Sequence, residues 1–198
     1  MPTGVALHDA PERLFEAAER VIVRDGPNAL TSRSVTAEAG VSKGVLHRHF
    51  TDFDDFLAAL VLDRVNGVHK LAASLEDRAG TGSVVENLTD ALMDLFGPLA
   101  VAIVGLVISR DGLRTRLRGA GAARLPVLEE GATMIGQHLR AERELGRVVE
   151  DTDVDTIAPT LIGAAHLLFA QPEGGQPTWS EVEKVVRTVV AHVLVERR

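Results

Sequence analysis

Three cationic side chains and two imidazoles lie in one short stretch of the chain, residues 31–50. They are Arg33, Lys43, His47, Arg48 and His49. Ammonium and guanidinium groups bind phosphate, and a guanidinium also fits the O6/N7 edge of guanine. Glu38 is the one carboxylate in the stretch, so its net charge is +2 before the histidines are counted. Because the whole chain has a net charge of −7, any contact with nucleic acid must use this local basic face.

Other candidate sites are weak in the sequence. His47 and His49 are two residues apart, so their rings diverge on a helix and cannot share a metal ion. His138 and Glu142 lie one helical turn apart, but no third ligand is recognisable. The chain has no cysteine, which excludes disulfides, thiolate zinc sites and cysteine nucleophiles. We therefore expect a protein that has no catalytic residues, metal or cofactor and is not an enzyme.

The length and composition predict a globular protein. The chain has 198 residues, of which 45% are apolar and 25% charged, enough to bury a core without a metal or a disulfide. The first residues lack the basic start and apolar run of a secretory signal. The longest weakly polar run, residues 95–108, is shorter than the about 20 residues of a membrane-spanning helix. These features favour a cytoplasmic protein with no membrane partner.

Apolar residues recur three and four positions apart along most of the chain, which predicts an all-α fold of about nine helices and no strand. The helices are predicted at residues 11–24, 32–39, 43–49, 53–75, 84–96, 98–109, 125–145, 153–170 and after Thr178. Thr31, Ser42 and Asp52 are placed to act as N-caps. The segment 110–124, rich in glycine and arginine, has no predicted structure.

The helices at 32–39 and 43–49 are separated by a tight turn that contains Gly40. This spacing is typical of a helix-turn-helix, in which the second helix enters the major groove of DNA. Gly40 can adopt the left-handed conformation that ends the first helix. A small core can fix the angle between the helices: Val35, Ala39, Val41, Leu46 and Phe50. The spacing alone also fits a solvated polar helix in an all-α protein.

The extended pattern TSRSVTAEAGVSKGVLHRHF, from Thr31 to Phe50, resembles the DNA-binding domain of the TetR (tetracycline-repressor-like) family of transcriptional regulators. The matching residues are Thr31, Val35, Ala39, Gly40, Val41, Ser42, Lys43, Gly44, Leu46, His49 and Phe50, continued by Asp52 and Leu57. The resemblance implies an N-terminal three-helix helix-turn-helix domain, residues 1–52. It also implies a C-terminal helical domain for effector binding and dimerisation, residues 53–198.

The resemblance assigns individual residues to DNA. Those expected to face base edges are Lys43, Gly44, Val45, His47 and Arg48. Those expected to hold phosphates are Thr31, Ser32, Ser42 and His49, and Arg33 suits either partner. The first amides of the helix that begins at Phe53 are a further candidate phosphate contact.

Three positions depart from the family pattern. Val45 replaces a hydroxyl residue, His47 replaces the usual tyrosine, and Phe53 replaces a common lysine. Val45 can contact a thymine methyl but cannot make a hydrogen bond, and Phe53 removes one phosphate contact. Phosphate near His47 and His49 favours the protonated imidazoles, which predicts tighter DNA binding at lower pH.

For the C-terminal domain, the resemblance implies an effector pocket and a homodimer interface. The expected effector contacts are Phe96, Leu99, Ile103, Val107, Met134 and His138, with Asn87, Asp94 and Gln137 as polar partners. The expected interface, a four-helix arrangement of the last two helices, uses Ile157, Leu161, Ala165, Leu168, Val182, Val186, Val189 and Val193. Both sets of residues can also serve as ordinary core.

Together these patterns predict a homodimeric, sequence-specific transcriptional regulator. The expected form is a repressor that binds a palindromic DNA operator and is released by a small-molecule effector. Two alternatives remain. One is a helical homodimeric carrier or enzyme that has lost DNA binding, and the other is a DNA binder without an effector.

Overall fold

The structure is a computed structural model that describes residues 10–171 and 175–195. Within these ranges it is helical, and its only β-pairing is an isolated bridge between Val148 and Leu194. The helices are α1 (Ala10–Asp25), α2 (Ser32–Glu38), α3 (Lys43–His49), α4 (Phe53–Glu76), α5 (Val84–Leu95), α6 (Pro98–Ser109), α7 (Asp111–Gly119), α8 (Pro126–Glu144), α9 (Val154–Phe169) and α10 (Trp179–Val190). The predicted all-α fold class is therefore confirmed.

Internal contacts divide the chain into two compact units. In the described residues, the first unit contains 10–62 and 102–122, and the second contains 63–101, 123–171 and 175–195. The boundary predicted after residue 52 falls inside the first unit, because α4 continues from one unit into the other.

The first unit has an aromatic core beneath α3. The Phe50 ring packs edge-on against Phe56, with 5.2 Å between ring centroids, and Phe15 lies 6.1 Å from Phe50 and 5.7 Å from Phe56. Such ring pairs contribute about 0.5–1.5 kcal/mol each beyond their buried area. Leu46 of α3 is fully buried above them. The aromatic core therefore fixes both the end of α3 and the start of α4.

The second unit is formed by close packing of apolar helix faces. The tightest approach occurs at Gly131 of α8, where a Cβ atom would lie 2.7 Å from Leu95 of α5 and 3.1 Å from Ile162 of α9. Only glycine fits this contact without displacing a neighbour. In the described residues no single helix is long and apolar enough to cross a membrane, although α5 and α6 together meet the length and composition criteria as a bent pair.

The sequence did not predict α7. It lies in the segment 110–124, where the glycines disfavour a helix, yet Leu113 and Leu117 are buried one turn apart. These two leucines attach α7 to the first unit. Ten α-helices thus occur in the described residues, where about nine were expected.

Candidate nucleic-acid interface

The turn between α2 and α3 is held by local hydrogen bonds. At the start of α2, the Thr31 hydroxyl accepts a hydrogen bond from the amide of Ser34, and the Ser34 side chain accepts one from the amide of Thr31. At the end of α2, Gly40 has φ of +66°, as predicted. The amides of Gly40 and Val41 donate to the carbonyls of Ala37 and Thr36, which is a Schellman motif.

Helix α1 forms hydrogen bonds with the end of α2, next to this turn. Arg20 and Arg24 both donate to the Glu38 carboxylate, at 2.9 Å and 2.8 Å. These two hydrogen bonds lower the pKa of Glu38. Arg13 donates to the carbonyl of Ala39 at 3.3 Å. The one acidic side chain in residues 31–50 is thus neutralised by α1, which leaves the cations of the segment uncompensated.

The residues expected to read bases lie on the outward face of α3. Lys43, Gly44, His47 and Arg48 are exposed, and Val45 is half-buried. In residues 10–171 and 175–195, neither Lys43 nor Arg48 forms an ion pair, in contrast to the arginines of α1. Arg33 on α2 is also exposed and forms no ion pair in the same ranges. A helix two turns long with this exposed basic face has the size and charge to enter a major groove.

The residues expected to hold phosphates have different surroundings. Ser42 is the N-cap residue of α3, but its hydroxyl makes no capping hydrogen bond, so that part of the capping prediction is wrong and the exposed hydroxyl is available. His49 is exposed. The Thr31 hydroxyl is committed to the α2 cap, and the Ser32 Oγ is covered, without a hydrogen bond in the described residues. Ser42 and His49 are therefore the better placed of the four.

The start of α4 is occupied by the protein's own side chains. Asp52 accepts a hydrogen bond from the amide of Asp55, and Asp55 accepts one from the amide of Thr51. Arg110 and Arg116 pair with the carboxylates around this helix end. A phosphate there would meet several carboxylates, so the expected phosphate contact with the first amides of α4 is not supported.

Phe53, which stands where the family commonly has lysine, has a packing role. Its ring stacks on Phe56 with 5.6 Å between centroids, and the guanidinium of Arg110 lies 5.8 Å above its face. Phe53 thus extends the aromatic core beneath α3. The departure is explained by structure and does not by itself indicate a loss of DNA binding.

Sequence comparison identifies the segment that contains this site. Residues 14–60 match the profile of the family described as "Bacterial regulatory proteins, tetR family". Residues 14–60 belong to the TetR family. The match includes α2, the turn and α3, so the exposed basic face lies within the part of the chain that is similar to this family of regulatory proteins. Among curated proteins, no relative of the chain is found.

Solved structures with the TetR fold are similar to the whole chain. A TetR-family transcriptional regulator from Agrobacterium tumefaciens has a TM-score of 0.71 at 14% identity, over 96% of this chain and 100% of that one. A transcriptional regulator from Saccharomonospora viridis, solved with choline, has 0.70 at 19%, over 96% and 99%. The fatty acid degradation regulator FadR from Bacillus halodurans has 0.66 at 18%, over 91% and 94%. The likeness of fold therefore extends well beyond residues 14–60, to at least 91% of the chain.

The residues expected to bind an effector are divided between the two units. Ile103 and Val107 belong to the first unit, and the others belong to the second. In the second unit Phe96, Met134, His138 and Asn87 are buried, Leu99 is half-buried, and Asp94 and Gln137 are exposed. The Asn87 side-chain amide donates hydrogen bonds to the carbonyls of Arg78 and Thr81, so it stabilises the loop between α4 and α5.

His138 lies in a buried ionic cluster that the sequence indicated only as a pair. Its Nε2 is 3.4 Å from Oε1 of Glu142, which is fully buried, and Glu142 Oε2 is 3.3 Å from Nε of Arg147. The amide of Gly80 donates to Glu142 at 3.3 Å. Burial lowers the pKa of His138 to about 4, so the ring is neutral at pH 7. The chemistry of this cluster is that of a structural ion pair.

The residues expected at a dimer interface lie mostly inside the second unit. Those that are buried there are Ile157, Leu161, Ala165, Val182, Val186 and Val193. Leu168 and Val189 are half-buried and keep some surface. Leu167, which was not singled out, is 71% exposed on α9. The sequence showed that the apolar stripes on these helices are wide. It did not show which part of each stripe is covered by the protein's own core.

Proposed function

We propose that this TetR-family protein is a homodimeric repressor that binds a palindromic operator through α3 and is released by a small-molecule effector. The family match and the fold support DNA binding. The finer statements are supported by three features taken in turn: the face of α3, the exposed surface of α9, and an aromatic cluster in the second unit.

The observation that carries the proposal is the contrast in charge across the helix-turn-helix. Arg20 and Arg24 of α1 form ion pairs with Glu38. In the described residues, Lys43 and Arg48 of α3 are exposed and form no ion pair with a carboxylate. Two unpaired cations on one short helix gain free energy when they displace counterions from a phosphate backbone. A helix that contacts only solvent would gain no binding free energy from unpaired cations.

A dimer follows from the geometry of the groove. One seven-residue helix reads only a few base pairs, so useful specificity requires two copies about one duplex turn, roughly 34 Å, apart. We propose that the copies meet through the outward edges of α9 and α10. Leu167 and the half-buried Leu168 and Val189 supply the apolar surface there. The other residues of the predicted interface set are buried and belong to the core of the second unit.

This dimer is tested by sedimentation of Leu167→Glu. We expect the wild-type dimer to shift to monomer, because a carboxylate would be buried without a partner at the interface. Val149→Glu is the matched control, since Val149 is 44% exposed in the same unit but lies outside α9 and α10. A variant Leu167→Glu that sediments as the wild type would refute the proposed edge.

An effector site in the second unit is supported by the solved relatives, one of which holds choline and another of which regulates fatty acid degradation. Phe96 is buried, stacks on Phe169 at 5.6 Å and lies 6.0 Å from the ring of His166. Such an aromatic cluster can contact the apolar or cationic part of a small molecule. Release of DNA would then reflect tighter effector binding by the DNA-incompetent state.

DNA reading is tested by selection from a random-sequence duplex library, followed by binding at several salt concentrations. We expect selection of a palindromic site and a loss of about 100-fold or more in affinity for Lys43→Ala/Arg48→Ala, with unchanged thermal stability. Lys70→Ala is the matched control, because Lys70 is an exposed cation in the second unit. Failure to select any sequence, or equal affinity of the two variants, would refute the proposal.

A further inference from the structure

Helix α7 and its N-cap residue Arg110 offset the negative charge of the rest of the first unit. The sequence of that unit, residues 1–62 and 102–122, contains ten arginines and lysines against ten carboxylates, a net charge of zero. Residues 110–119 contribute four of those arginines and one of the carboxylates. Without this segment the balance would be six against nine, a net charge of −3. The segment with no predicted structure thus offsets the excess of carboxylates in the unit that carries the DNA-binding helices.

Two of these four arginines, Arg110 and Arg116, contact the three carboxylates at the start of α4. Arg110 donates to Oδ1 of Asp54 from Nε at 3.0 Å and from Nη2 at 2.6 Å. Arg116 pairs with Asp52 and lies 3.7 Å from Asp55. The fit leaves no spare room, since a Cβ atom on Gly112 would collide with the Asp54 carboxylate.

These carboxylates are close in sequence to the recognition helix. Asp52 and Asp55 follow His49, the last residue of α3, by three and six positions. Between 28% and 50% of each of the three aspartate side chains is exposed. Because they remain near the surface, uncompensated charges here would repel the phosphates that α3 must approach.

We infer that Arg110 and Arg116 are positioning residues of the DNA interface, which act by neutralising and holding Asp52, Asp54 and Asp55. They do not themselves read bases or bind phosphate. The two arginines affect DNA affinity only by neutralising the carboxylates. Their effect on affinity is therefore lost when the carboxylates are replaced. The inference rests on the proposed DNA binding and adds α7 to the residues on which that binding depends.

The test is a double-mutant cycle of Arg110 and Asp54, measured with the duplex that the wild-type protein selects. We expect Arg110→Gln to lower affinity about fivefold, and Arg110→Gln/Asp54→Asn to return it to within about twofold of the wild type. Asp54→Asn alone should bind at least as tightly as the wild type. Each variant is measured well below its melting temperature, so that only folded protein is compared.

Arg118→Gln is the matched control. Arg118 is exposed on α7, where it donates a hydrogen bond to the Thr115 hydroxyl at 3.3 Å. Its substitution changes net charge equally but should leave affinity within about twofold. The inference is overturned if Arg110→Gln binds as the wild type, if Asp54→Asn does not restore it, or if Arg118→Gln weakens binding equally. A chain that selects no duplex refutes the proposed function instead, so the two failures are distinguishable.

Discussion

The exposed face of α3 and the buried cluster on α8 contain similar side chains in opposite environments. On α3, Lys43 and Arg48 face solvent and form no ion pair in the described part of the chain. On α8, Glu142 is fully buried against Arg147 and His138. Charge left exposed costs little stability and is available to a partner, whereas charge removed from water must be paired. We therefore expect the first region to control binding and the second to control stability.

The largest effect should come from breaking the buried pair. Glu142→Gln leaves Arg147 without its carboxylate, and we expect a loss of about 3 kcal/mol in the free energy of unfolding. Urea titration followed by the fluorescence of Trp179, the one tryptophan of the chain, measures it. Glu144→Gln, exposed on the same helix, should change stability by less than about 0.5 kcal/mol. Equal stability of the two variants would contradict the comparison.

Acid should weaken the second unit through His138. Burial lowers the pKa of its ring from the ordinary value of 6.5 to about 4. As pH falls below 6.5, the unfolded chain therefore binds a proton that the folded chain does not bind. Stability is therefore lost as pH falls between 6.5 and 4, by about 2 kcal/mol from pH 7 to pH 5. Arg147 and Arg78 act in the same direction, and burial also lowers the pKa of His166.

The same urea titrations at pH 7 and pH 5 check this prediction. The difference in unfolding free energy between the two pH values should be smaller in His138→Gln than in the wild type, whatever the absolute stability of the variant. An unchanged difference would show that His138 is not the group responsible.

Adding one methyl group to α3 should separate binding from stability. Gly44 is exposed, and nothing lies within 4 Å of the position that its Cβ would occupy. Gly44→Ala should therefore keep or raise stability, while operator affinity falls about tenfold because the backbone can no longer approach the groove. Gly67→Ala on α4, equally free of neighbours, should leave affinity unchanged. Equal affinity of both variants would show that α3 does not approach DNA closely.

The smallest effect should be the pH dependence of DNA binding. His47 and His49 are exposed on α3, and a nearby phosphate favours their protonated forms. We expect affinity to rise by about threefold per histidine between pH 8 and pH 6, at constant salt. His47→Gln/His49→Gln should have a flat profile. A flat profile in the wild type would place both rings away from phosphate.

The sequence predicted the parts of the molecule that are set by local patterns. The bounds of α3 and α6 agree with the predicted ranges, and Gly40 ends α2 as expected, because caps, turns and periodicity depend on residues a few positions apart. Helix α7 was missed because its glycines disfavour a helix, and because Arg110 at its start and Arg116 within it pair with Asp54 and Asp52, more than 50 residues away. Burial of Val182 and Val186 likewise depends on tertiary packing that periodicity does not specify.

The most direct test of the central claim, that paired α3 helices read DNA, is a hydroxyl-radical footprint on the selected duplex. We predict two protected half-sites about 10 base pairs apart, centre to centre, both lost with Lys43→Ala/Arg48→Ala and both kept with Lys70→Ala. A single protected patch, or protection that survives the α3 substitutions, would contradict the account.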